Sequence, residues 1–234
     1  MRINKSAVLE FFDVTPNYEE EMGVTFGSHV SAISGLVGED LVLGLFLHFW
    51  NQNKQQEGTL SLLNYRCSAL ESGRKLDAWL KLDRAEDRVN VPVELFKVEV
   101  KNWSYHSIGM RQTLPIDADD AETLRVSHHN WNLCIEAERN HETVYKVIED
   151  MRSPVGFDDA PHRPVLCFWA PLLSNQQAHV VPYFTIRNSD HILDGVAIFS
   201  ASLYLRTLAD EFVDIPMLRV DERLKFLHRM GIEL

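Results

Sequence analysis

The sequence is poor in cysteine, and the few cysteines it has are widely spaced. Its three cysteines are Cys67, Cys134 and Cys167, and no two of them form a CxxC pair. An odd number at such spacings argues against a disulfide framework and against a closed zinc site, and His128 and His129 complete no four-ligand pattern with Cys134. We therefore expect buried, reduced thiols in a cytoplasmic protein.

Long apolar runs and several familiar catalytic motifs are also absent. The longest apolar run, 41–50, is far shorter than the ~20 residues that a membrane-spanning helix needs. The first residues, MRINKSAVLEFFD, contain acids too early for a signal peptide. No glycine-rich phosphate loop, HExxH or GxSxG occurs. These absences predict a soluble protein with no membrane contact and exclude several enzyme classes.

Basic residues are in deficit. The chain has 23 Lys and Arg against 34 Asp and Glu, for a formal net charge of −11. Such a chain is a poor general binder of nucleic acid or anionic membranes. Contact with a polyanion would require a metal ion, a partner subunit or a local basic surface; the candidates for the last are Arg66, Arg74, Lys75, Lys97 and Arg111.

What the chain does have is enough apolar material for one large domain. Its 234 residues are 45% hydrophobic and 24% charged, as in ordinary globular proteins. We expect a single domain over 1–234, with an N-terminal extension (1–28), a core (29–170) and a C-terminal strand and helix elaboration (171–234).

The first half of the chain predicts a buried helix followed by three strands. Residues 29–50 are apolar on every face of a helical projection, which is typical of a helix inside a core. Residues 60–70, 74–82 and 93–101 are predicted strands, and the last two alternate between apolar and polar positions. Three consecutive strands after a helix favour a meander packed against that helix.

The second half predicts helices and strands in alternation, which completes an α/β domain with a mixed sheet. Ser200 is predicted to cap a helix over residues 200–212, SASLYLRTLADEF. The other predicted elements are a helix at 127–151, strands at 165–170, 179–187 and 195–199, and a C-terminal helix from Asp221 to Met230.

The segment with the most chemical information is FKVEVKNWS, residues 96–104. Glu99 and Lys101 lie two residues apart, so a strand places both on one face. The triplet alone means little, because a chain with 34 acids yields roughly one acid-x-lysine by chance. Its context adds weight: the preceding strand carries Asp77 on its polar face, and the apolar helix carries Glu39.

These residues resemble the PD-(D/E)xK phosphodiesterase superfamily, whose fold is that of the restriction endonucleases. The matching elements are Asp77 in KLDAWL, Glu99 and Lys101 in VEVKNW, and Glu39 in LVGEDLVL. The order of helix, meander, helix and strand over 29–170 also matches. One departure is Leu76, which stands where a proline is common before the aspartate.

The resemblance implies a metal-dependent nuclease that hydrolyses phosphodiester bonds, with DNA as the expected substrate and a role in bacterial restriction or phage defence. Asp77, Glu99 and the backbone carbonyl of Val100 would hold Mg²⁺ or Mn²⁺, for which oxygen ligands are suited. Glu39 would bind the ion through a water or hold a second ion. Lys101 would orient the attacking water and stabilise the developing negative charge.

Several alternatives remain open at this stage. A structural ion pair is the alternative role of Glu99 and Lys101, and Asp40 replaces Glu39 if the helix phase is shifted by one residue. Lys97, His106 and Arg111 are candidate nucleic-acid contacts. The protein as a whole could instead be an RNA-cleaving variant, a metal-free scaffold, or a non-catalytic interaction module of the same fold. The acidic charge favours a homo-oligomer or a subunit of a larger complex.

Overall fold

A computed structural model describes the parts of the chain from which the sheet is built. The described residues are 1–10, 37–65, 76–84, 93–101, 153–169, 182–185, 195–217 and 219–220, with single positions at 119, 121–122, 125–126, 129, 147, 225 and 229. The predicted helix at 127–151 falls outside them except for His129 and Val147, which are both helical.

The architecture is α/β, with a six-stranded mixed sheet and a separate two-stranded ribbon. The strands are β1 (Arg2–Asn4), β2 (Thr59–Tyr65), β3 (Ala78–Asp83), β4 (Glu94–Lys101), β5 (His162–Phe168), β6 (Tyr183–Thr185), β7 (Ala197–Ser200) and β8 (Phe212–Asp214). The helices whose bounds lie within the described residues are α1 (Glu39–Asn53) and α2 (Ala201–Thr207), with a 3-10 turn at Gln55–Glu57. Residues 5–10 and 219–220 are helical as well.

The central sheet has the order β2-β3-β4-β5-β7-β6. Strands β2, β3 and β4 form the predicted antiparallel meander, whereas β5 runs parallel to β4 and β7 runs parallel to β5. A parallel step requires the chain to return to the same end of the sheet, which fits the long segment between β4 and β5. The sheet also extends beyond residue 170, because β6 and β7 belong to it.

Helix α1 packs on one face of this sheet, as its apolar sequence predicts. Every residue from Leu41 to Trp50 is buried except His48. Its aromatic side chains meet those of the strands: the Trp50 ring lies 4.9 Å from that of Phe96, and Phe46 lies 5.1 Å from Phe199. Edge-to-face and tilted contacts of this kind stabilise a core beyond the area that they bury.

The second face of the sheet is buried as well, which the alternating pattern of β4 did not predict. Lys97 is only 5% exposed and Glu99 only 1%, although both are charged. They share their face with buried apolar side chains of the neighbouring strands, Trp79, Leu166, Phe168 and Ile198. A central strand of a sheet covered on both sides buries its polar positions with its apolar ones.

The sequence pattern does not predict the ribbon formed by β1 and β8. Residues 200–212 were expected to be one helix, but α2 ends at Thr207 because Leu208 adopts an extended conformation. The chain then pairs Phe212–Asp214 with Arg2–Asn4. The predicted cap of α2 is confirmed, since the Ser200 hydroxyl accepts a hydrogen bond of 3.4 Å from the Leu203 N–H.

Candidate functional site

The predicted site residues Asp77, Glu99 and Lys101 meet where β3 begins and β4 ends. Ala78 pairs with Val98 at the end of the β3–β4 ladder, and Asp77 and Glu99 are the next residue on each side of that pair. The backbone N–H of Val100 donates a 2.8 Å hydrogen bond to Oδ2 of Asp77. The meander therefore brings together an aspartate and a glutamate that lie 22 residues apart in the sequence.

Glu99 and Lys101 form a direct ion pair on one face of β4. The Lys101 ammonium donates to Oε1 of Glu99 at 2.7 Å. The carboxylate side chain is 1% exposed, whereas the lysine side chain is 21% exposed. The pair lies on the same face as the apolar side chains of Leu166 and Phe168, and a poorly polarisable environment strengthens charge interactions.

The Val100 carbonyl lies on the side of β4 that faces away from β5. Successive strand residues point their N–H and C=O groups to opposite neighbours. The Lys101 carbonyl accepts from the Trp169 N–H at 3.1 Å on the β5 side. The Val100 carbonyl therefore faces the β3 side, as its N–H does.

Arg219, which no sequence motif identifies, connects Glu39 to the same end of the sheet. Arg219 donates from Nη1 to Oε2 of Glu39 at 2.8 Å and from Nη2 to the backbone carbonyl of Asp77 at 2.6 Å. Its side chain is only 7% exposed. The sole signal in the sequence is one charge within the apolar run Met217–Val220.

The neighbouring Asp40 has a different function. Its Oδ2 accepts a 2.9 Å hydrogen bond from the Val220 N–H, and its Oδ1 accepts from the Arg219 N–H at 3.4 Å. Asp40 is 1% exposed, so it holds the start of the C-terminal helical segment against α1. Of the two candidates on α1, Glu39 is thus the one linked to Asp77.

The residue before α1 is in close contact with the strand end. The indole ring of Trp169, just after β5, lies so near Gly38 that a Cβ added to this glycine would overlap it. Because the same tryptophan bonds to the Lys101 carbonyl, the first turn of α1 is held beside the ends of β4 and β5.

The candidate nucleic-acid contacts are placed less favourably. His106 and Arg111 lie outside the described residues. Lys97 is described and buried, and it pairs with Trp79 across the β3–β4 ladder. Its burial does not favour contact with a phosphate. Arg66, Arg74 and Lys75 also lie outside the described residues.

Cys167 lies beside the site, because it pairs with Val100 in the β4–β5 ladder. Complete burial raises the pKa of the Cys167 thiol, and the negative charge of Asp77 raises it further. This cysteine is free, as predicted, and remains a neutral thiol at physiological pH. A cysteine nucleophile at this position is therefore disfavoured.

The donor atoms at this sheet end are suited to a hard divalent cation. Two carboxylates and a backbone carbonyl are oxygen ligands of the kind that Mg²⁺ and Mn²⁺ prefer. Within the described part of the chain, no three His, Cys, Asp or Glu side chains are grouped closely enough to share one ion. Any ion at this sheet end would therefore have two carboxylate ligands at most, those of Asp77 and Glu99, with backbone or solvent oxygens completing its coordination.

Comparison of the chain with family models, with curated proteins and with solved structures found no match. Among the described residues, no helix has both the length and the apolar character needed to cross a membrane. The functional interpretation therefore depends on the geometry of the residues described above.

Proposed function

We propose that the protein is a metal-dependent nuclease that hydrolyses phosphodiester bonds, with DNA as its substrate. The observation that carries the proposal is the junction of β3 and β4, where Asp77, Glu99, Val100 and Lys101 lie together. The order of a buried helix, an antiparallel meander and a parallel fourth strand supports the resemblance to the PD-(D/E)xK superfamily.

In this proposal each residue has a distinct task. Asp77, Glu99 and the Val100 carbonyl would hold Mg²⁺ or Mn²⁺. The bound ion would activate a water molecule and neutralise charge on the scissile phosphate. Lys101, whose ammonium is the more exposed member of its pair, would orient that water and stabilise negative charge on the phosphate oxygens.

The ion pair with Glu99 gives the Lys101 ammonium a defined position. Its ammonium is held at 2.7 Å by a buried carboxylate, so it does not need to be ordered when substrate binds. Prepositioned charges of this kind contribute most to catalysis, because little reorganisation accompanies the reaction.

A second candidate is a non-catalytic module in which the same residues form a structural polar network. The contacts that favour it are internal: Glu99 pairs with Lys101, Asp77 accepts from Val100, and Glu39 pairs with Arg219. A protein of this kind would act through partner subunits, which the net charge of −11 also suits.

Cleavage assays distinguish the two candidates. Supercoiled plasmid, linear duplex DNA and RNA are incubated with the wild-type protein in Mg²⁺ or Mn²⁺, and then with Glu99→Gln and Lys101→Met. We expect divalent-ion-dependent cleavage of DNA and a loss of about 100-fold or more in each variant. The RNA reaction tests the alternative substrate directly.

The neighbouring strand offers matched controls. Lys81 and Asp83 form an ion pair at the same spacing on β3, but the Asp83 side chain is 47% exposed. Lys81→Met and Asp83→Asn should cleave like the wild type. Inactive wild-type protein on all substrates would reject the nuclease and favour the structural module, whereas full activity in Glu99→Gln would reject the catalytic site proposed at β3 and β4.

A further inference from the structure

Arg219 joins three parts of the chain that are far apart in the sequence. Its guanidinium binds Glu39 in α1 and the carbonyl of Asp77 before β3, while Asp40 accepts from its backbone N–H. The first two contacts span 180 and 142 residues. A buried guanidinium needs several acceptors to offset its loss of hydration, and this arrangement supplies them.

The ion pair with Arg219 reduces the negative charge that the Glu39 carboxylate can offer to a metal ion. A guanidinium at 2.8 Å compensates the carboxylate, and only 23% of the glutamate side chain is exposed. A divalent ion bound at Glu39 would also lie close to the positive charge of Arg219, which would repel it. In this fold Glu39, the residue that could hold a second ion, already lies next to the positive charge of Arg219.

The contact with Asp77 fixes the ligand that the proposed function needs. Arg219 holds the backbone carbonyl of Asp77 at 2.6 Å, and the Val100 N–H holds its carboxylate at 2.8 Å. Asp77 is thus held in position by hydrogen bonds to both its main chain and its side chain. Planar two-pronged donation of this kind is a property of arginine that lysine lacks.

We propose that Arg219 is a positioning residue that pairs with Glu39 and holds the Asp77 backbone, so that the site binds a single divalent cation of which Glu39 is not a ligand. This inference rests on the proposed function, because it assumes an ion at Asp77 and Glu99. It goes further by assigning the number of ions and the role of a residue outside the predicted motif.

Binding of Mn²⁺ without substrate tests the inference apart from activity. Titration calorimetry and the electron paramagnetic resonance signal of free Mn²⁺ give the stoichiometry and the affinity. We expect one ion per chain in the wild type. Asp77→Asn should lower the affinity at least about tenfold, whereas Glu39→Gln should change it by no more than about threefold and retain one ion.

Variants of Arg219 provide the complementary measurement. Arg219→Met removes the fixed charge beside Glu39, and we expect a second, weaker Mn²⁺ site to appear. The double variant Arg219→Met/Glu39→Gln should return to one ion, and Arg219→Lys, which keeps the charge, should also bind one. Circular dichroism checks that each variant is folded. If Arg219→Met does not fold, Glu39→Gln still tests the inference.

The outcomes separate the two proposals. Two ions in the wild type, or a loss in Glu39→Gln as large as in Asp77→Asn, would overturn the inference about Arg219 and leave the metal site standing. Absence of Mn²⁺ binding, or wild-type affinity in Asp77→Asn, would overturn the proposed function and this inference with it.

Discussion

Glu39 and Asp40 are adjacent in the sequence, but their carboxylates have different partners. Glu39 pairs with the Arg219 guanidinium, and Asp40 accepts from the backbone N–H groups of Arg219 and Val220. Strand spacing, sequence context and the resemblance to the PD-(D/E)xK superfamily identified Asp77, Glu99 and Lys101 as candidates. They could not select Arg219, because one arginine in an apolar segment has no local pattern that identifies its partners.

The pair formed by His48 and Tyr204 predicts a pH effect at the residue scale. Nδ1 of His48 lies 2.7 Å from the Tyr204 hydroxyl. Burial raises the pKa of Tyr204 to about 12, so this hydroxyl stays protonated and can donate to a neutral imidazole. Burial lowers the pKa of His48, and the negative charge of Asp214 offsets only part of that effect.

Because the pKa of His48 is lower in the folded than in the unfolded state, the unfolded chain binds more protons as the pH falls. The free energy of unfolding should therefore decrease as the pH drops below about 6.5. Urea unfolding at several pH values measures this decrease, and it should be smaller in His48→Gln. The same pH dependence in both proteins would contradict the assignment.

At the scale of elements, packing decided where helices and strands begin and end. The apolar segment predicted as a helix over 29–50 is helical from Glu39 to Asn53 in the described residues. Strand β4 lies within one residue of its predicted limits and β3 within four, because alternation is a local signal. Strand β2 begins one residue before its predicted start, and the end of its predicted range, 66–70, lies outside the described residues. The β1–β8 ribbon depends on pairing across more than 200 residues, and short strands of this kind have no such signal.

The junction of α1 with β5 predicts a steric effect. Gly38 has φ −68° and ψ −40°, which alanine adopts without strain. A methyl group there would overlap the Trp169 ring, so Gly38→Ala should lower the free energy of unfolding by about 1–3 kcal/mol.

Chemical denaturation measures the loss, and a second substitution tests its cause. Trp169→Leu removes the ring that the methyl group would meet, so the two substitutions together should cost less than the sum of their separate effects. Additive losses would show that Gly38 is needed for some other reason.

For the molecule as a whole, the two ends of the sheet have different chemistry. At the end opposite the candidate site, Arg163 donates to Glu94 at 2.8 and 3.1 Å and lies over the Phe96 ring at 4.8 Å. Arg84 binds the same carboxylate at 2.9 Å. This cluster contains cations matched to acids and packed on aromatic rings, which is typical of a structural network.

Removing Arg163 should therefore affect stability and not cation binding. Arg163→Met leaves the partly buried Glu94 with Arg84 alone, and we expect a loss of about 3 kcal/mol in the free energy of unfolding. The two ends of β4 are about 23 Å apart, so Mn²⁺ affinity should stay at the wild-type value.

Urea unfolding and Mn²⁺ titration of the same preparation measure both quantities. Arg125→Ala, which removes an exposed pair with Glu122, serves as the control and should unfold at the same urea concentration as the wild type. A fall in Mn²⁺ affinity in Arg163→Met would show that the two ends are coupled.

The sequence by itself determined the buried helix, the antiparallel meander and the residue types of the candidate site, because these depend on periodicities of a few residues. Only the tertiary structure decided that Lys97 and Glu99 are buried, that Asp40 caps a distant segment and that Arg219 joins Glu39 to Asp77. Those features depend on which surfaces pack together, and packing between distant segments has no short-range pattern in the chain.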